Sequence, residues 1–280
     1  MMASQTDWNA EQYLKFERER TQPSRDLLAQ IPIATPRHII DLGCGPGNST
    51  AVLRQKHPDA DIKGIDSSAT MIQQARKQYP GLTNFEVRDI SELTLDLANG
   101  ACNGRSTPDL IFSNSVYHWL KHEERINIFK SLMGAQPSGG VFAFSVPIGL
   151  NTEPVQVLMR TTAVDPHAPW AQTLADVDPW REGFQSAQEL YDALGPLTSD
   201  IHIWTTTYHQ ILDGGHEAVV EWSKSTGLRP YLDPLPEDQK EAFVQAYLVK
   251  IRAEPDAFPL MYNGKVCLSF PRLFLVAVRR

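Results

Sequence analysis

The sequence predicts an α/β fold built on a mostly parallel sheet with helices on both faces. Three observations carry this reading. Short apolar runs alternate with helical stretches through the first 147 residues, the pattern of strand, crossover helix and parallel strand. Three of those runs end at an acid, Asp41, Asp66 and Asp89. The first of them leads into a glycine-rich turn and directly on into a helix.

The elements follow in order. An amphipathic helix is expected from about residue 9 to 20, with Tyr13, Phe16 and Arg20 on one face. A second helical stretch follows Pro23, turning Leu27, Leu28 and Ile31 inward until Pro32 stops it. Residues 38–42 form the first strand and 48–56 the next helix. Residues 62–66 are the second strand, and 67–79 a helix that Ser67 or Ser68 is placed to cap. The third strand is 84–89, followed by a loop of low apolar content at 98–108. A fourth strand at 110–114, a helix at 126–133 and a fifth strand at 140–146 complete the alternation.

After Pro147 the pattern changes. A stretch rich in Pro, Trp and Asp runs to Trp180 and holds a helix at 154–163; another helix spans 188–194. Residues 201–211 alternate as a strand, with Ile201, Ile203, Thr205 and Thr207 on one side and His202, Trp204, Thr206 and Tyr208 on the other. Trp204 is expected in the core. Helices at 216–225 and 237–252 and a strand at 266–278 close the chain. The sum is seven strands, the last antiparallel, in one elaborated domain of 280 residues with no internal repeat and no low-complexity tract.

Composition excludes several classes. Apolar residues make up 42% and charged residues 21%, as in a globular rather than a disordered chain. Acids outnumber bases 33 to 26, which argues against a general nucleic-acid binder, since that needs a dense field of Lys and Arg. The densest basic cluster, residues 15–20, is interrupted by Glu17 and Glu19, and the other basic feature is the pair Arg279 and Arg280. Cys44, Cys102 and Cys267 are widely spaced, with no CxxC pair, so neither a disulfide framework nor a zinc site is expected. No charged-then-apolar leader and no membrane-length apolar run is visible. The expectation is a cytoplasmic enzyme of small molecules, with no metal, no membrane and no protein partner evident.

The strongest motif is Asp41-Leu42-Gly43-Cys44-Gly45-Pro46-Gly47-Asn48-Ser49. A bare turn needs one glycine; three at alternate positions let backbone pass close beneath a ligand. A dinucleotide fingerprint, G-x-G-x-x-G, would put glycine where Asn48 stands. Asp41 before the loop would also repel a pyrophosphate. It suits a cationic ligand bearing an α-amino group or a sulfonium, and S-adenosylmethionine has both. Asp66 can accept both ribose hydroxyls, since a carboxylate offers two acceptor oxygens. Asp89 can take the adenine amino group while Ile90 covers the ring. Each acid alone is more often a helix cap or a solvated turn. Three at successive strand ends around one glycine loop favour a single ligand.

On these residues the sequence resembles the Rossmann-like class I S-adenosylmethionine-dependent methyltransferases, and within them the trans-aconitate methyltransferase family. That family's opening W-N-x-x-x-Y-L-x-F stands here as Trp8-Asn9, Tyr13-Leu14 and Phe16, continued by Glu19-Arg20 and Pro23. The run DLGCGPGNST spans 41–50 and GIDSS spans 64–68. Asn114 with Trp119-Leu120, Ile203-Trp204, TGLRP at 226–230 and FPRLF at 270–274 extend the likeness over nearly the whole chain. The cofactor motifs specify the superfamily; the N-terminal and TGLRP elements specify the narrower family. The sequence departs from the family's pattern in an apparent insertion at 99–108, in Tyr117-His118, and in a shifted Tyr208-His209-Gln210.

The resemblance implies a cofactor-binding core at about 36–147, with cap elements at about 1–32, 148–186 and 214–262. It implies that S-adenosyl-L-methionine is held by Asp41, Gly43, Gly45, Gly47, Asn48, Asp66, Ser67, Met71, Asp89, Ile90 and Asn114. The reaction it implies is methyl transfer to a carboxylate of trans-aconitate or a close tricarboxylate, giving a monomethyl ester. Such an acid is already ionised near neutrality, so no residue is assigned as general base. Arg20, Arg229 and Arg272 are the candidate cationic partners, Arg229 first. Tyr13, Tyr117, His118, Trp119, Trp222 and Tyr231 are candidate walls or hydrogen-bond donors. Core packing competes for each aromatic, and a structural ion pair for Arg272. Alternatives are a methyltransferase for a fatty acid-like or isoprenoid acid and a non-catalytic cofactor-binding scaffold; an NAD-dependent dehydrogenase is disfavoured by the glycine spacing.

Overall fold

The computed structural model describes residues 8–82, 84–98, 107–177 and 182–280, with side chains of 95–98 left aside. Its elements are α1 (Ala10–Leu14), α2 (Glu17–Ala29), β1 (His38–Leu42), α3 (Asn48–Lys56), β2 (Asp61–Asp66), α4 (Ala69–Gln78), β3 (Phe85–Val87) and α5 (Ile90–Ala98). Then come β4 (Leu110–Asn114), α6 (His122–Gly134), β5 (Val141–Pro147), α7 (Pro154–Ala163), α8 (Ala187–Leu194) and β6 (Thr198–Leu212). Last are α9 (Gly215–Lys224), α10 (Arg229–Leu232), α11 (Glu237–Arg252) and β7 (Val266–Arg279). Tyr117–Trp119 forms one 3-10 turn and Gly195–Leu197 another.

The seven strands make one sheet in the order β3-β2-β1-β4-β5-β7-β6. β3, β2, β1, β4 and β5 pair in parallel, and β7 runs antiparallel to β5. The strand order reverses between β1 and β4, and open α/β sheets bind ligands outside the carboxyl ends of the strands at such a point. The seven-stranded, mostly parallel sheet expected from the sequence is therefore present. β4 and β5 read as continuous apolar runs because both of their faces are covered: Leu110, Ile111, Phe112, Phe142 and Phe144 are fully buried.

The chain divides into two compact units. The sheet unit comprises Glu17–Pro147, Phe184–Thr206 and Arg272–Arg280. The second unit comprises the residues up to Phe16, Ile148–Gly183 and Thr207–Pro271. Its core is apolar and aromatic, with Trp170, Trp222, Tyr231, Phe243, Tyr247 and Phe258 among its buried rings. The buried polar atoms of two of these rings are satisfied by backbone: the Trp170 indole donates to the Thr162 carbonyl at 2.9 Å, and the Tyr247 hydroxyl to the Val155 carbonyl at 3.0 Å.

Local chemistry explains several boundaries. Ser68 caps α4, its Oγ accepting from the Met71 N–H at 3.1 Å. Ser186 and Glu189 form a reciprocal capping box on α8. Trp204, expected in the core, is half-buried and stacks on Phe274 at 4.9 Å. Three expectations need correction. The first helix does not run to residue 20: it ends at Leu14, and α2 begins at Glu17 and carries Pro23 in its interior. The chain from Ile90 to Ala98, read from the sequence without an element, is helix α5. The helix expected from residue 126 starts at His122. Cys102, Trp180 and most of the expected 98–108 loop lie outside the described residues. Among the described residues no helix is long and apolar enough to cross a membrane, and no group of His, Cys, Asp and Glu is placed to hold a metal.

Candidate cofactor and substrate site

The glycine loop leaves the carboxyl end of β1. Its three glycines, Gly43, Gly45 and Gly47, all have positive φ. Gly43, at φ +66°, has a second constraint: a Cβ there would lie 2.0 Å from Val116 Cγ2. Gly45, at φ +54°, is the opposite case, because a Cβ would meet nothing within 4 Å. The loop is closed below by side chain and open above. It is tied to β2: the Gly43 and Cys44 amides both donate to the Ile65 carbonyl, at 2.7 and 3.0 Å.

The acids at the strand ends have different surroundings. Asp41 is fully buried, and its Oδ2 accepts from Ser49 Oγ at 2.7 Å and Thr50 Oγ1 at 2.6 Å. Burial pushes its carboxyl up to about 6; the Thr50 and Ser49 hydroxyls pull it down, and the Asp66 charge adds to the rise. Its other oxygen, Oδ1, finds no hydrogen-bond partner among the described residues. Asp66 is half-buried; Oδ2 accepts from the Gly45 amide and Oδ1 from the Ser68 amide, each at 2.9 Å. Burial pushes the Cys44 thiol well up, reinforced by the Asp41 and Asp66 charges. The loop therefore sits in a negative local field.

The remaining candidates for cofactor contact spread around this loop. Asn48 opens α3, buried, with Nδ2 donating to Thr21 Oγ1 at 3.2 Å and Oδ1 without a partner among the described residues. Ser67 is exposed and Met71 buried at the start of α4. Asp89 is exposed and caps α5, accepting from the Ser91 amide at 2.8 Å and from the Ser91 hydroxyl. Ile90, half-buried, is the first residue of that helix.

Asn114 ends β4, and the structure brings it to Arg272. Arg272 is 5% exposed, and its Nη2 donates to Asn114 Oδ1 at 2.9 Å, Ser115 Oγ at 2.7 Å and Ser145 Oγ at 3.0 Å. Ser145 Oγ donates in turn to Asn114 Oδ1 at 2.6 Å. Sequence reasoning named Arg272 and Asn114 separately and missed Ser115 and Ser145. No local signal joins residues 127 to 158 positions apart.

The other sheet-unit candidates differ among themselves. Arg20 is half-buried on α2. Tyr117 is fully buried, edge-on to Phe129 at 4.8 Å and Phe144 at 5.3 Å, which is core packing. His118 and Trp119 follow on the same 3-10 turn, ring centroids 5.0 Å apart, with Trp119 37% exposed. Arg125 fixes that turn, donating from Nε and Nη2 to the Leu120 carbonyl at 3.0 and 2.7 Å.

In the second unit, Tyr13 is half-buried on α1. Trp222 is buried edge-to-face with Phe16 at 5.2 Å and with Phe270 at 5.7 Å. Tyr231 stacks on Phe243 at 6.0 Å. Arg229 pairs with Asp233 at 3.3 Å and lies over the Trp8 ring at 4.2 Å. The two motifs that marked the narrower family, W-N at the start and TGLRP, thus meet through Arg229 and Trp8.

A methyltransferase domain is the class that this strand order and this glycine loop define, and comparison with known proteins agrees. The Methyltransferase domain family model matches residues 39–140, from β1 to the residue before β5. The fold is shared with the YcgJ protein of Bacillus subtilis (TM-score 0.53, 13% identity, covering 92% of this chain and 99% of that one). It is also shared with phosphoethanolamine N-methyltransferase 2 of Haemonchus contortus (TM-score 0.52, 12% identity, covering 97% and 57%). Far more similar is a trans-aconitate 2-methyltransferase of Rhodopseudomonas palustris strain BisB18, 44% identical over 98% of this chain and 99% of that protein. The protein of the same name from Afipia carboxidovorans is 42% identical over 98% and 99%. The chain belongs to the trans-aconitate 2-methyltransferase family.

Proposed function

We propose that this enzyme transfers a methyl group from S-adenosyl-L-methionine to a carboxylate of trans-aconitate, giving a monomethyl ester. The observation that carries the reading is the pairing, within one unit, of an acid-lined glycine loop with a buried arginine held by Asn114, Ser115 and Ser145. The loop's negative field suits a cationic donor, and the arginine suits an anionic acceptor.

The residues fit the donor. Asp41 carries a buried oxygen without a partner among the described residues, which suits an ammonium group. The open space above Gly45 lets a ligand lie against backbone. Asp66, oriented by the Gly45 and Ser68 amides, stands at the end of β2 where its carboxylate would meet the ribose hydroxyls. Asp89 and Ile90 lie at the end of the next strand, where an adenine would be covered. Bound there, S-adenosylmethionine supplies an electrophilic methyl group on a sulfonium.

The chain's own residues then have three tasks. They bind the acid, which arrives ionised and needs no base. They aim one carboxylate at the methyl carbon, and they keep water off the attacking oxygen. Arg272 supports the binding task better than Arg229, because it belongs to the same unit as the glycine loop and meets Asn114 at the end of β4. His118 and Trp119 are the aromatic candidates for a wall, and Tyr117, as a core ring, leaves that set. The test is transfer of a radiolabelled methyl group across trans-aconitate, cis-aconitate, citrate, isocitrate and itaconate. Fastest transfer to trans-aconitate is expected, with Arg272→Met raising KM for the acid by about 10–100-fold. No transfer to any of these acids would sink the reading.

A further inference from the structure

We propose that Ser115 is a substrate-binding residue, the hydroxyl donor that works beside Arg272 on the acid. The inference rests on the methyl-transfer reading above and adds to it a residue that neither the motifs nor the family likeness marks.

The first observation is conformational. Ser115 is the one non-glycine residue with positive φ among those described, at +65°. A residue with a Cβ pays for that backbone, and such outliers persist where surroundings over-determine them, most often at functional sites. The surroundings here are identifiable. The Ser115 amide donates to the Ser145 carbonyl at 2.8 Å, which continues the β4–β5 ladder one residue past Asn114. The next side chain, Val116, is wedged beneath Gly43 of the glycine loop. Pinned on both sides, Ser115 cannot relax.

The second observation is what the conformation delivers. Ser115 Oγ accepts from Arg272 Nη2 at 2.7 Å. A hydroxyl that accepts one hydrogen bond still has its own proton to give. Among the described residues no acceptor takes it, and Ser115 is half-buried rather than sealed. The residue also follows β4, at the point where the strand order reverses and ligands enter such sheets. Ser145, the other hydroxyl on Arg272, is fully buried and gives its proton to Asn114, so it has no comparable role. A carboxylate brought to Arg272 is thus met by one more donor, polarised by the guanidinium behind it.

The experiment separates the hydroxyl from the backbone. Ser115→Gly removes the hydroxyl and relieves the positive φ; Ser115→Ala removes the hydroxyl and keeps the strain. In the full-length enzyme both variants are expected to raise KM for trans-aconitate by about 10-fold with kcat little changed. Cofactor affinity, read by titration calorimetry, is expected to stay within about twofold, which a general loss of structure would not allow. A wild-type KM in Ser115→Gly overturns the assignment, since the hydroxyl would then be dispensable. An equal loss of cofactor affinity also overturns it, because Ser115 would then be only a strut of the loop. If the wild-type enzyme methylates trans-aconitate while Ser115→Gly is normal, this inference alone fails. If the wild type methylates none of the acids named above, both fail together.

Discussion

In the sheet unit the buried Asp41 and Arg272 are bonded by other polar side chains, whereas in the second unit the buried hydroxyls of Thr162, Ser223 and Tyr247 and the Trp170 indole bond backbone carbonyls. Asp41 is bonded by Ser49 and Thr50, eight and nine residues on, and Arg272 by Ser115 and Ser145, 157 and 127 residues away. In the second unit the buried hydroxyls of Thr162 and Ser223 bond the carbonyls four residues back, at Leu158 and Val219. Its charges stay in pairs such as Lys265 with Asp213 and Arg229 with Asp233. A hydroxyl bonded within its own turn costs nothing in specificity and says nothing of function. A buried network between distant residues must be satisfied member by member, so it persists where its arrangement is used.

The comparison can be broken most sharply at Trp222. If the second unit is held by its rings, Trp222→Ala should cost about 3–5 kcal/mol there, because Phe16 and Phe270 lose the face they pack on. Urea unfolding followed by separate probes for the two units would read this, and cofactor affinity measured below the transition should hardly move. Loss of cofactor binding in step with stability would show that the units do not divide the work in this way.

A middle-sized effect is expected at Asp41. Its carboxyl is raised in the folded chain to about 6, so the protonated form is the one folding favours. That contribution is complete below the ordinary carboxylate value, fades as pH rises toward 6 and is gone above it. Asp41→Asn, which does not ionise, should match the wild type in urea unfolding near pH 4. It should exceed it by about 1–3 kcal/mol near pH 7.5. The same variant should bind the cationic cofactor more weakly. Equal stability of the two proteins at both pH values would mean that Asp41 is solvated or already paired.

The smallest effect belongs to Glu221. Burial alone would raise its carboxyl, but Lys224, Gln12 and Lys15 outweigh that and hold it down to about 2. Its stabilisation is therefore present above the ordinary carboxylate range and lost only in strong acid. The pair lies near the surface, so Glu221→Gln should cost about 0.5 kcal/mol near neutrality, reduced further by salt. A loss of several kcal/mol would make this cluster, rather than the aromatic core, the second unit's main fastening.

Much of the sheet was legible because its strands are short apolar runs, and each is followed by a helix or a turn with a recognisable start. Ser68 announced its helix through the chemistry of the cap. Helix α5 was not legible, because Asp89 reads equally as a ligand-facing acid and as the cap it proves to be. The interior Pro23 misled for a related reason: proline is a strong stop signal, yet packing holds α2 together across it, with Thr21, Pro23 and Ser24 all buried. At the site, the glycine loop and its acids could be found by spacing. The partners of Arg272 could not.

By itself the sequence determined the alternation of strands and helices and the glycine loop, since these depend on neighbours close along the chain. It also carried the family, through motifs spread over the whole length. Only the tertiary structure decided which candidates are packed rings and which meet in a polar cluster: Tyr117, Trp222 and Tyr231 are packed rings, while Arg272, Asn114, Ser145 and the strained Ser115 form one polar cluster. The physical reason is that a side chain's role follows from what surrounds it. For a residue at the end of a strand those surroundings are other strands, brought from more than a hundred residues away.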